Sequence, residues 1–298
     1  DYFLNISSGI SATRQIANIM LELDELVADC KKPDLFLAVG DVNSTLAGAL
    51  FAHKNGIRLG HIESGLRSED TGMPEEINRI LTDKITNYFF VTEQSGFDNL
   101  ISEGVKEEQI FFVGNTMIDT LVAFEKEIEE VKILQELGVK ETPYVLMTMH
   151  RPATVDFKDE IEKLINVIQQ IASRKKVVFP IHPRTQMKME SFGLFEKVKN
   201  TEGVILCPPI GYFEFQSLIK YASYVVTDSG GIQEETTFRQ VPCITLRPNT
   251  ERPSTITVGS NTLVPPFDET ILKETINAIE AGKYKKGDIP KFWDGQST

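Results

Sequence analysis

Short apolar runs alternate with longer amphipathic segments along the whole chain. The segment Ala12–Cys30 repeats its apolar residues at helical spacing, and the run Leu35–Val39 after it is apolar without alternation. A strand of that kind is typical of a sheet covered by helices, so Leu35–Val39 is predicted to be buried on both faces. The other strand candidates are Ile57–Ile62, Tyr88–Thr92, Ile110–Val113, Tyr144–Thr148, Lys176–Ile181, Gly203–Cys207, Tyr224–Thr227 and Cys243–Leu246. This alternation predicts an α/β fold built on parallel sheets.

The pattern changes in one place, the charged stretch 125–141, where Glu and Lys dominate. A domain boundary there gives two α/β domains, residues 1–130 and residues 131–298. The chain begins without an initiator Met, with one helix–strand unit before a loop of functional appearance, and it stops in a polar stretch. We therefore expect truncation at both ends and an incomplete N-terminal domain.

Composition narrows the class of partner. The 31 basic and 43 acidic residues give a net charge of −12, which repels a nucleic-acid backbone on average. No apolar stretch approaches the roughly 20 residues that span a bilayer, and the three cysteines form no CxxC pair. We expect a cytoplasmic protein that binds neither membrane nor nucleic acid. Neither a GxGxxG fingerprint nor a Walker loop occurs, which argues against a nicotinamide dehydrogenase or a P-loop ATPase.

Polar residues follow several predicted strands directly. In open α/β sheets, ligands bind beyond the carboxyl ends of the strands, so these residues are candidates for chemistry. They are Asp41, Glu63, His150, His182 and Asp228. For Asp228 taken alone, a structural turn role is favoured. His61 and Glu63 are two apart at a strand end, but no third ligand nearby completes a metal site, so no metal is expected.

A glycine-containing turn between a strand and a helix, Asp228–Gly231, leaves backbone N–H groups available and favours a phosphate. Glu235 lies about one helical turn further on, placed either to accept hydrogen bonds from a ribose or to act as a solvated first-turn acid. Arg252 in the loop 250–253 could neutralise a diphosphate. Glu75 follows Pro74 at the start of a predicted helix, and a first-turn acid is a sufficient structural account of it.

Six segments together strongly resemble the UDP-N-acetylglucosamine 2-epimerases, in order and over nearly the whole chain. They are His61–Ser68, Met73–Arg79, Val113–Thr116, His150–Arg151, Asp228–Glu235 and Thr250–Pro253. The resemblance implies two Rossmann-like domains in a GT-B-like architecture, an active site in the cleft between the domains, and a homodimer. It also implies that UDP-N-acetylglucosamine and UDP are the ligands and that no cofactor is needed.

The resemblance also assigns roles to individual residues. It makes Asp41, Glu63 and Glu75 the acidic catalytic group, with His150 as their partner. The residues assigned to the substrate are Arg79 and Arg252 for the diphosphate, Phe215 for uracil, Ser229, Gly230 and Gly231 for phosphate, and Glu235 for the ribose.

The predicted reaction is the interconversion of UDP-N-acetylglucosamine and UDP-N-acetylmannosamine by inversion at C2. No carbonyl flanks the C2 hydrogen, so UDP must leave and return while carboxylates move the proton. Ala153 and Ser254 depart from the family pattern and leave alternatives open. These are a hydrolysing 2-epimerase, a 2-epimerase of another UDP-2-acetamido sugar, and a non-catalytic UDP-sugar binding module. A glycosyltransferase is less favoured, because it would not need three carboxylates and His150 around the sugar.

Overall fold

A computed structural model of the chain describes residues 2–7, 9–29 and 31–297, which form two compact units. Unit 1 comprises Asp1–Thr116 and Gln296–Thr298, and unit 2 comprises Met117–Gly295. The domain boundary predicted at 130/131 falls inside unit 2. Glu125 forms ion pairs with Lys220 at 2.7 Å and with Arg239 at 2.9 Å, so the charged stretch contacts the helices of unit 2.

Unit 1 alternates helices and strands as the sequence predicts. Its elements are α1 (Ala12–Asp29), β1 (Leu35–Val39), α2 (Asn43–Lys54), β2 (Arg58–Ile62), α3 (Pro74–Lys84), β3 (Tyr88–Val91), α4 (Gln94–Ser102), a 3₁₀ turn (Glu107–Gln109) and β4 (Ile110–Phe112). Cys30, predicted to end the first helix, lies outside the described residues. The sheet is parallel with strand order β1-β2-β3-β4, so β1 is an edge strand.

The prediction that Leu35–Val39 is buried on both faces is wrong. Leu35, Leu37 and Val39 are 41%, 49% and 53% exposed. The alternate residues Phe36 and Ala38 pack with α1 and α2 in a cluster that includes buried residues of α2 and β2. The helices therefore cover one face of β1, and its other face carries apolar side chains in solvent.

Unit 2 has a larger sheet. Its first elements are α5 (Thr116–Ala123), α6 (Glu125–Glu130), α7 (Ile133–Glu136), β5 (Tyr144–Thr148), α8 (Pro152–Val155), α9 (Lys158–Ala172), β6 (Lys176–Pro180), α10 (Pro183–Ser191), α11 (Phe195–Lys199) and β7 (Val204–Cys207). It continues with α12 (Tyr212–Tyr221), β8 (Tyr224–Thr227), α13 (Gly230–Phe238), β9 (Cys243–Leu246), α14 (Ser254–Thr257), β10 (Asn261–Val264) and α15 (Glu269–Glu280).

The six strands of unit 2 are parallel and lie in the order β10-β9-β8-β5-β6-β7. Counted from β5, this is the Rossmann order 3-2-1-4-5-6. The chain leaves β5 to one side and later returns to the other side with β8, which makes the β5–β8 pair the topological switch point. Ligands of such sheets bind outside the carboxyl ends of the strands at this point, so a ligand is expected next to the residues that follow β5 and β8.

The core of unit 2 has one apolar cluster on each side of its sheet. Met147 and Phe179 belong to one cluster, which packs against α9, and Leu146 and Val178 belong to the other, which packs against α12. Strands buried on both faces are what the unbroken apolar runs predict. Among the described residues, no helix combines the length and the apolar character needed to cross a bilayer.

Candidate active site

Asp41 and Glu63 follow two neighbouring strands of unit 1. Val39 pairs in register with Ile62, and the Gly40 N–H donates to the Ile62 carbonyl at 3.0 Å. Adjacent strands lie about 4.8 Å apart, so the two carboxylates leave the same edge of the sheet side by side. Both side chains are half-buried. The structure thus brings together two of the three predicted acidic residues.

The backbone at Glu63 is held in an uncommon conformation. Its φ is 68°, in the left-handed region that a non-glycine residue seldom adopts. The N–H groups of Glu63 and Ser64 both donate to the Phe90 carbonyl, at 3.1 and 3.2 Å. At Gly65, with φ 79°, an added Cβ would collide with the carbonyl of Gly96. The surroundings therefore impose this conformation, as is usual for strained residues at functional sites.

Helix α3 brings a cation to Asp41. The helix starts with Pro74 at its first position, which leaves Glu75 in the first turn and Arg79 one turn later on the same face. Arg79 is 1% exposed, with Nε 3.1 Å from Asp41 Oδ2 and Nη1 2.8 Å from Glu76 Oε2. Through these contacts Arg79 orients the Asp41 carboxylate. The predicted contact of Arg79 with a diphosphate stays a prediction.

The two adjacent glutamates of α3 have different environments. Glu76 is 1% exposed, and its carboxylate accepts hydrogen bonds from the Ser68 N–H at 2.9 Å and the Glu69 N–H at 3.1 Å. Glu76 therefore holds the loop that follows Glu63. Glu75 is half-buried, which leaves it as the glutamate of the pair that can face a ligand.

His61 makes contacts inside the protein. It is fully buried, and its ring nitrogens contact Asp83 and the carbonyl of Gly40. Within the described part of the chain, no group of three or more His, Cys, Asp and Glu side chains could hold a metal ion.

His150 and Asp228 meet at the switch point of unit 2. His150 Nδ1 lies 3.0 Å from Asp228 Oδ1, and the N–H groups of His150 and Arg151 donate to the same carboxylate at 3.0 and 2.8 Å. Asp228 is fully buried, whereas the His150 side chain is 39% exposed. Because a carboxylate accepts at Nδ1, the Nε2 atom of His150 is left to face a ligand.

Asp228 is thus more than the turn residue that its position predicts. Burial acts to raise the pKa of Asp228, but the hydrogen bonds from His150 and from the backbone outweigh burial and lower it. The carboxylate therefore stays charged and orients the imidazole. The strand register that joins Thr148 to Thr227 produces this pairing.

Helix α13 offers an anion-binding turn next to this pair. The helix begins at Gly230 with Ser229 as N-cap, so the first-turn N–H groups point out of the helix at the positive end of its dipole. A Cβ on Gly230 would lie 2.7 Å from Arg252 Nη1 and from Glu251 Oε1. Glycine is therefore what lets Arg252 lie against the turn.

A cavity of about 180 Å³ opens beside the turn. Phe215, His150, Ser229 and Ile210 are among its lining residues. A cavity of roughly 150 Å³ holds benzene, so this one has the size for a six-membered ring. Phe215 and Ser229, predicted to touch different parts of one nucleotide, thus share a cavity.

His182 lines the same cavity. Its position after a strand makes it a candidate from the sequence, but the family resemblance assigns it no role. The two rings are 5.5 Å apart. Burial and the nearby His150 lower the pKa of His182, so its ring is neutral at pH 7. Nδ1 of His182 accepts from the Arg184 N–H at 3.1 Å, so the neutral ring carries its hydrogen on Nε2 and offers a donor.

Glu235 lies one turn into α13 and is buried. Burial raises its pKa to about 7, and the nearby Gln216 and Arg239 offset this only in part. This environment differs from the solvated first-turn acid considered from the sequence. A hydrogen-bond donor that approaches a carboxyl group of this kind stabilises the charged form, so the group releases its proton near neutral pH.

We expect Glu235→Gln to stabilise the protein at high pH only. Because the folded pKa of about 7 exceeds the ordinary value of 4.5, protonated Glu235 favours folding at low pH, and this contribution is lost as pH rises from 4.5 through about 7. The variant should gain up to about 3 kcal/mol in the free energy of unfolding at pH 8.5 and almost nothing at pH 4.5, measured in urea. The control is Glu274→Gln, an exposed position on α15. A gain that does not change with pH would contradict the prediction.

Comparison with known proteins decides the family. The model of the UDP-N-acetylglucosamine 2-epimerase family matches residues 1–298. The chain belongs to this epimerase family. An enzyme of Methanococcus maripaludis named UDP-N-acetylglucosamine 2-epimerase is 41% identical over 303 residues, covering 100% of this chain and 81% of that protein.

Other members of the epimerase family differ in their named substrates. The Pseudomonas aeruginosa UDP-2,3-diacetamido-2,3-dideoxy-D-glucuronate 2-epimerase is 33% identical, covering 100% of this chain and 81% of that protein. The crystal structure of the Methanocaldococcus jannaschii UDP-GlcNAc 2-epimerase in complex with UDP-GlcNAc and UDP matches with a TM-score of 0.88 and 40% identity, covering 100% of this chain and 82% of that one. These matches confirm the predicted family and fold, and the role of each site residue stays a prediction.

Proposed function

We propose that this chain interconverts UDP-N-acetylglucosamine and UDP-N-acetylmannosamine by epimerisation at C2. One observation carries the proposal: His150, oriented by buried Asp228, lies beside the anion-binding turn of α13 at the switch point. Unit 1 supplies carboxylates at adjacent strand ends. The Methanococcus relative, at 41% identity, is named for this same reaction.

The chemistry has to break a C–H bond that no carbonyl activates. A base takes the C2 proton, the C1–O bond breaks, and its electron pair leaves with UDP, so that a double bond forms between C1 and C2. A proton returned to the other face of C2, with UDP adding back at C1, gives the epimer. Two acid/base groups are needed, and partly buried carboxylates are suited to this work. Asp41, Glu63 and Glu75 are the proposed groups, with His150 as their partner.

The leaving UDP needs stabilisation as negative charge develops. The α13 turn at Ser229, Gly230 and Gly231 supplies backbone N–H groups, and Arg252 supplies a cation against that turn. Phe215 has its place in the cavity beside them, where uracil would stack. The buried Glu235 is proposed to accept hydrogen bonds from the ribose hydroxyl groups, which would favour its deprotonated form. No cofactor enters this scheme.

Several other features remain proposals. A homodimer, a cytoplasmic location, independence from metal ions and an active site in the interdomain cleft are what the family resemblance and the composition predict. The relative named for a diacetamido glucuronate, at 33% identity, keeps another UDP-2-acetamido sugar as the second candidate substrate.

The test is turnover in heavy water. The purified full-length protein is incubated with UDP-N-acetylglucosamine in D₂O, and the products are identified by NMR. We expect UDP-N-acetylmannosamine with deuterium at C2, because the proton removed by a carboxyl group exchanges with solvent before another is delivered. Free N-acetylmannosamine would indicate a hydrolysing enzyme, and turnover of a diacetamido sugar alone would indicate the second substrate. Tight UDP binding without turnover would indicate a binding module, and unlabelled product would contradict the proton-transfer scheme.

A further inference from the structure

His61 is buried between two groups that both accept hydrogen bonds. It is 0% exposed, with Nδ1 2.7 Å from Asp83 Oδ1 and Nε2 2.8 Å from the Gly40 carbonyl oxygen. A carbonyl oxygen only accepts, so Nε2 must carry a hydrogen. At Nδ1, the hydrogen belongs either to the imidazole or to a protonated Asp83.

The other oxygen of Asp83 decides between these states. Asp83 Oδ2 accepts from the Gly65 N–H at 3.1 Å and lies 2.8 Å from Arg67 Nη2. Burial acts to raise the pKa of Asp83, but the contacts with His61 and Arg67 outweigh burial and lower it. The Gly65 N–H and the Arg67 guanidinium lie at Oδ2 whatever the state of His61, and both stabilise a negative charge there. Asp83 is therefore a carboxylate, and the shared hydrogen lies on the ring.

From this geometry we infer that His61 is a buried imidazolium that positions the two proposed catalytic carboxylates, Asp41 and Glu63. It acts through the backbone. Its Nε2–H holds the carbonyl of Gly40, which immediately precedes Asp41, and its own main chain leads within two residues to Glu63. Asp83 holds the far side of the Glu63 loop through Gly65. His61 and Asp83 thus anchor the ends of β1 and β2 and the loop that follows β2.

The loop and the charges around His61 and Asp83 favour a charged pair at this place. Glu63 has φ 68°, a backbone conformation that a glutamate does not keep unless its neighbours impose it. The charges that face the pair are Arg67 from the loop and, one contact further, Glu103, which lies 2.8 Å from Arg67 Nε and 2.9 Å from Lys84 Nζ. If His61 is a cation, the charges along the row His61, Asp83, Arg67 and Glu103 alternate in sign. If the ring is neutral, Arg67 is the one charged partner of Asp83 in this row.

The first test needs no substrate. The protein contains four histidines, so NMR of ¹⁵N-histidine-labelled protein at pH 7.5 can resolve each ring, with His61→Gln identifying the His61 signals. We expect an attached hydrogen on both ring nitrogens of His61. A ring nitrogen of His61 without a hydrogen would overturn the imidazolium, whether or not the protein is an epimerase.

The second test rests on the proposed function. His61→Gln and, as a second variant, Asp83→Asn should lower kcat by about 10²-fold, the loss typical of a misplaced catalytic group, while the Kd for UDP is unchanged. If His61 acts through Glu63, then His61→Gln combined with Glu63→Gln should be no slower than Glu63→Gln alone. Losses that multiply would overturn the positioning role.

The control is His53→Gln, an exposed histidine on α2 of the same unit, which should keep full activity. Circular dichroism on each variant separates misfolding from misplacement, and Asp83→Asn replaces His61→Gln if the latter does not fold. Absence of turnover in the unmodified protein would count against the proposed function alone, since the NMR result stands by itself.

Discussion

Replacing Glu63 with Gln is expected to lower kcat for epimerisation by roughly 10²–10⁴-fold, the range for loss of an acid/base group, and to leave the Kd for UDP nearly unchanged. The amide keeps the shape of the side chain, so the left-handed backbone at this position and its hydrogen bonds to Phe90 should survive. What disappears is the ability to take up a proton. Steady-state kinetics with coupled NMR product detection, together with calorimetric titration of UDP, measures both quantities.

Glu69→Gln is the matched control for this substitution. Glu69 belongs to the same loop, also has a positive φ of 60°, and is exposed. Its variant should turn over at the parental rate. Full activity of Glu63→Gln would exclude Glu63 as the proton-transfer group and shift the assignment to Asp41 or Glu75, each testable by the same amide replacement.

Arg252→Ala should have the largest effect on stability, because it removes the shared partner of two buried carboxylates. Arg252 Nε lies 2.7 Å from Glu234 Oε2, and Nη1 contacts Glu251; both carboxylate side chains are 3% exposed. Loss of one partner from a buried ion network costs about 3–5 kcal/mol. We expect a decrease of that size in the free energy of unfolding at pH 7, measured in urea.

This loss should depend on pH. Burial acts to raise the pKa of Glu251, but Arg252 and Arg247 outweigh it and hold the pKa well below its usual range. A depressed pKa contributes stability above the ordinary value of 4.5, and that contribution is lost as pH falls below it. The difference between parent and variant should therefore shrink toward acidic pH, and a difference that stays constant would contradict the network.

Ligand binding provides a separate readout of Arg252. UDP affinity should fall by about 1.5–3 kcal/mol in the variant, measured by calorimetry at a temperature at which it is folded. The control for both readouts is Arg174→Ala, whose exposed ion pair with Glu280 at 3.2 Å should contribute less than about 1 kcal/mol. Unchanged UDP affinity would remove Arg252 from the diphosphate site.

The positions of most strands could be predicted from the apolar runs, because a strand buried by helices on both faces needs an unbroken run. One strand of unit 2 is missing from the prediction. Asn261–Val264 is short and half polar, and the Asn261 side chain is fully buried, accepting from Thr245 at 2.7 Å and donating to Gln233 at 3.1 Å. A buried amide satisfied by distant partners leaves no periodic signal along the chain.

The candidate site could likewise be predicted only in part from the sequence. Motifs pointed to Asp41, Arg79 and His150, but no motif shows that Arg79 holds Asp41 or that Asp228 orients His150. These pairs join residues far apart in the chain, and strand register and helix packing bring them together. The pKa of Glu235 is likewise set by burial, which depends on neighbours that spacing along the chain does not specify.

The exposed apolar face of β1 is a surface through which two copies of this chain can associate. Leu35, Leu37 and Val39 stand in solvent on a strand whose outer edge is unpaired among the described residues. Such an edge is a template for a strand of another molecule, with main-chain hydrogen bonds and apolar contact acting together. Two copies joined in this way would sediment as a pair and could pass for the homodimer that the family resemblance implies. Leu37→Lys would tell them apart, because the charge removes the apolar contact of an edge-to-edge pair and leaves an interface elsewhere on the molecule in place.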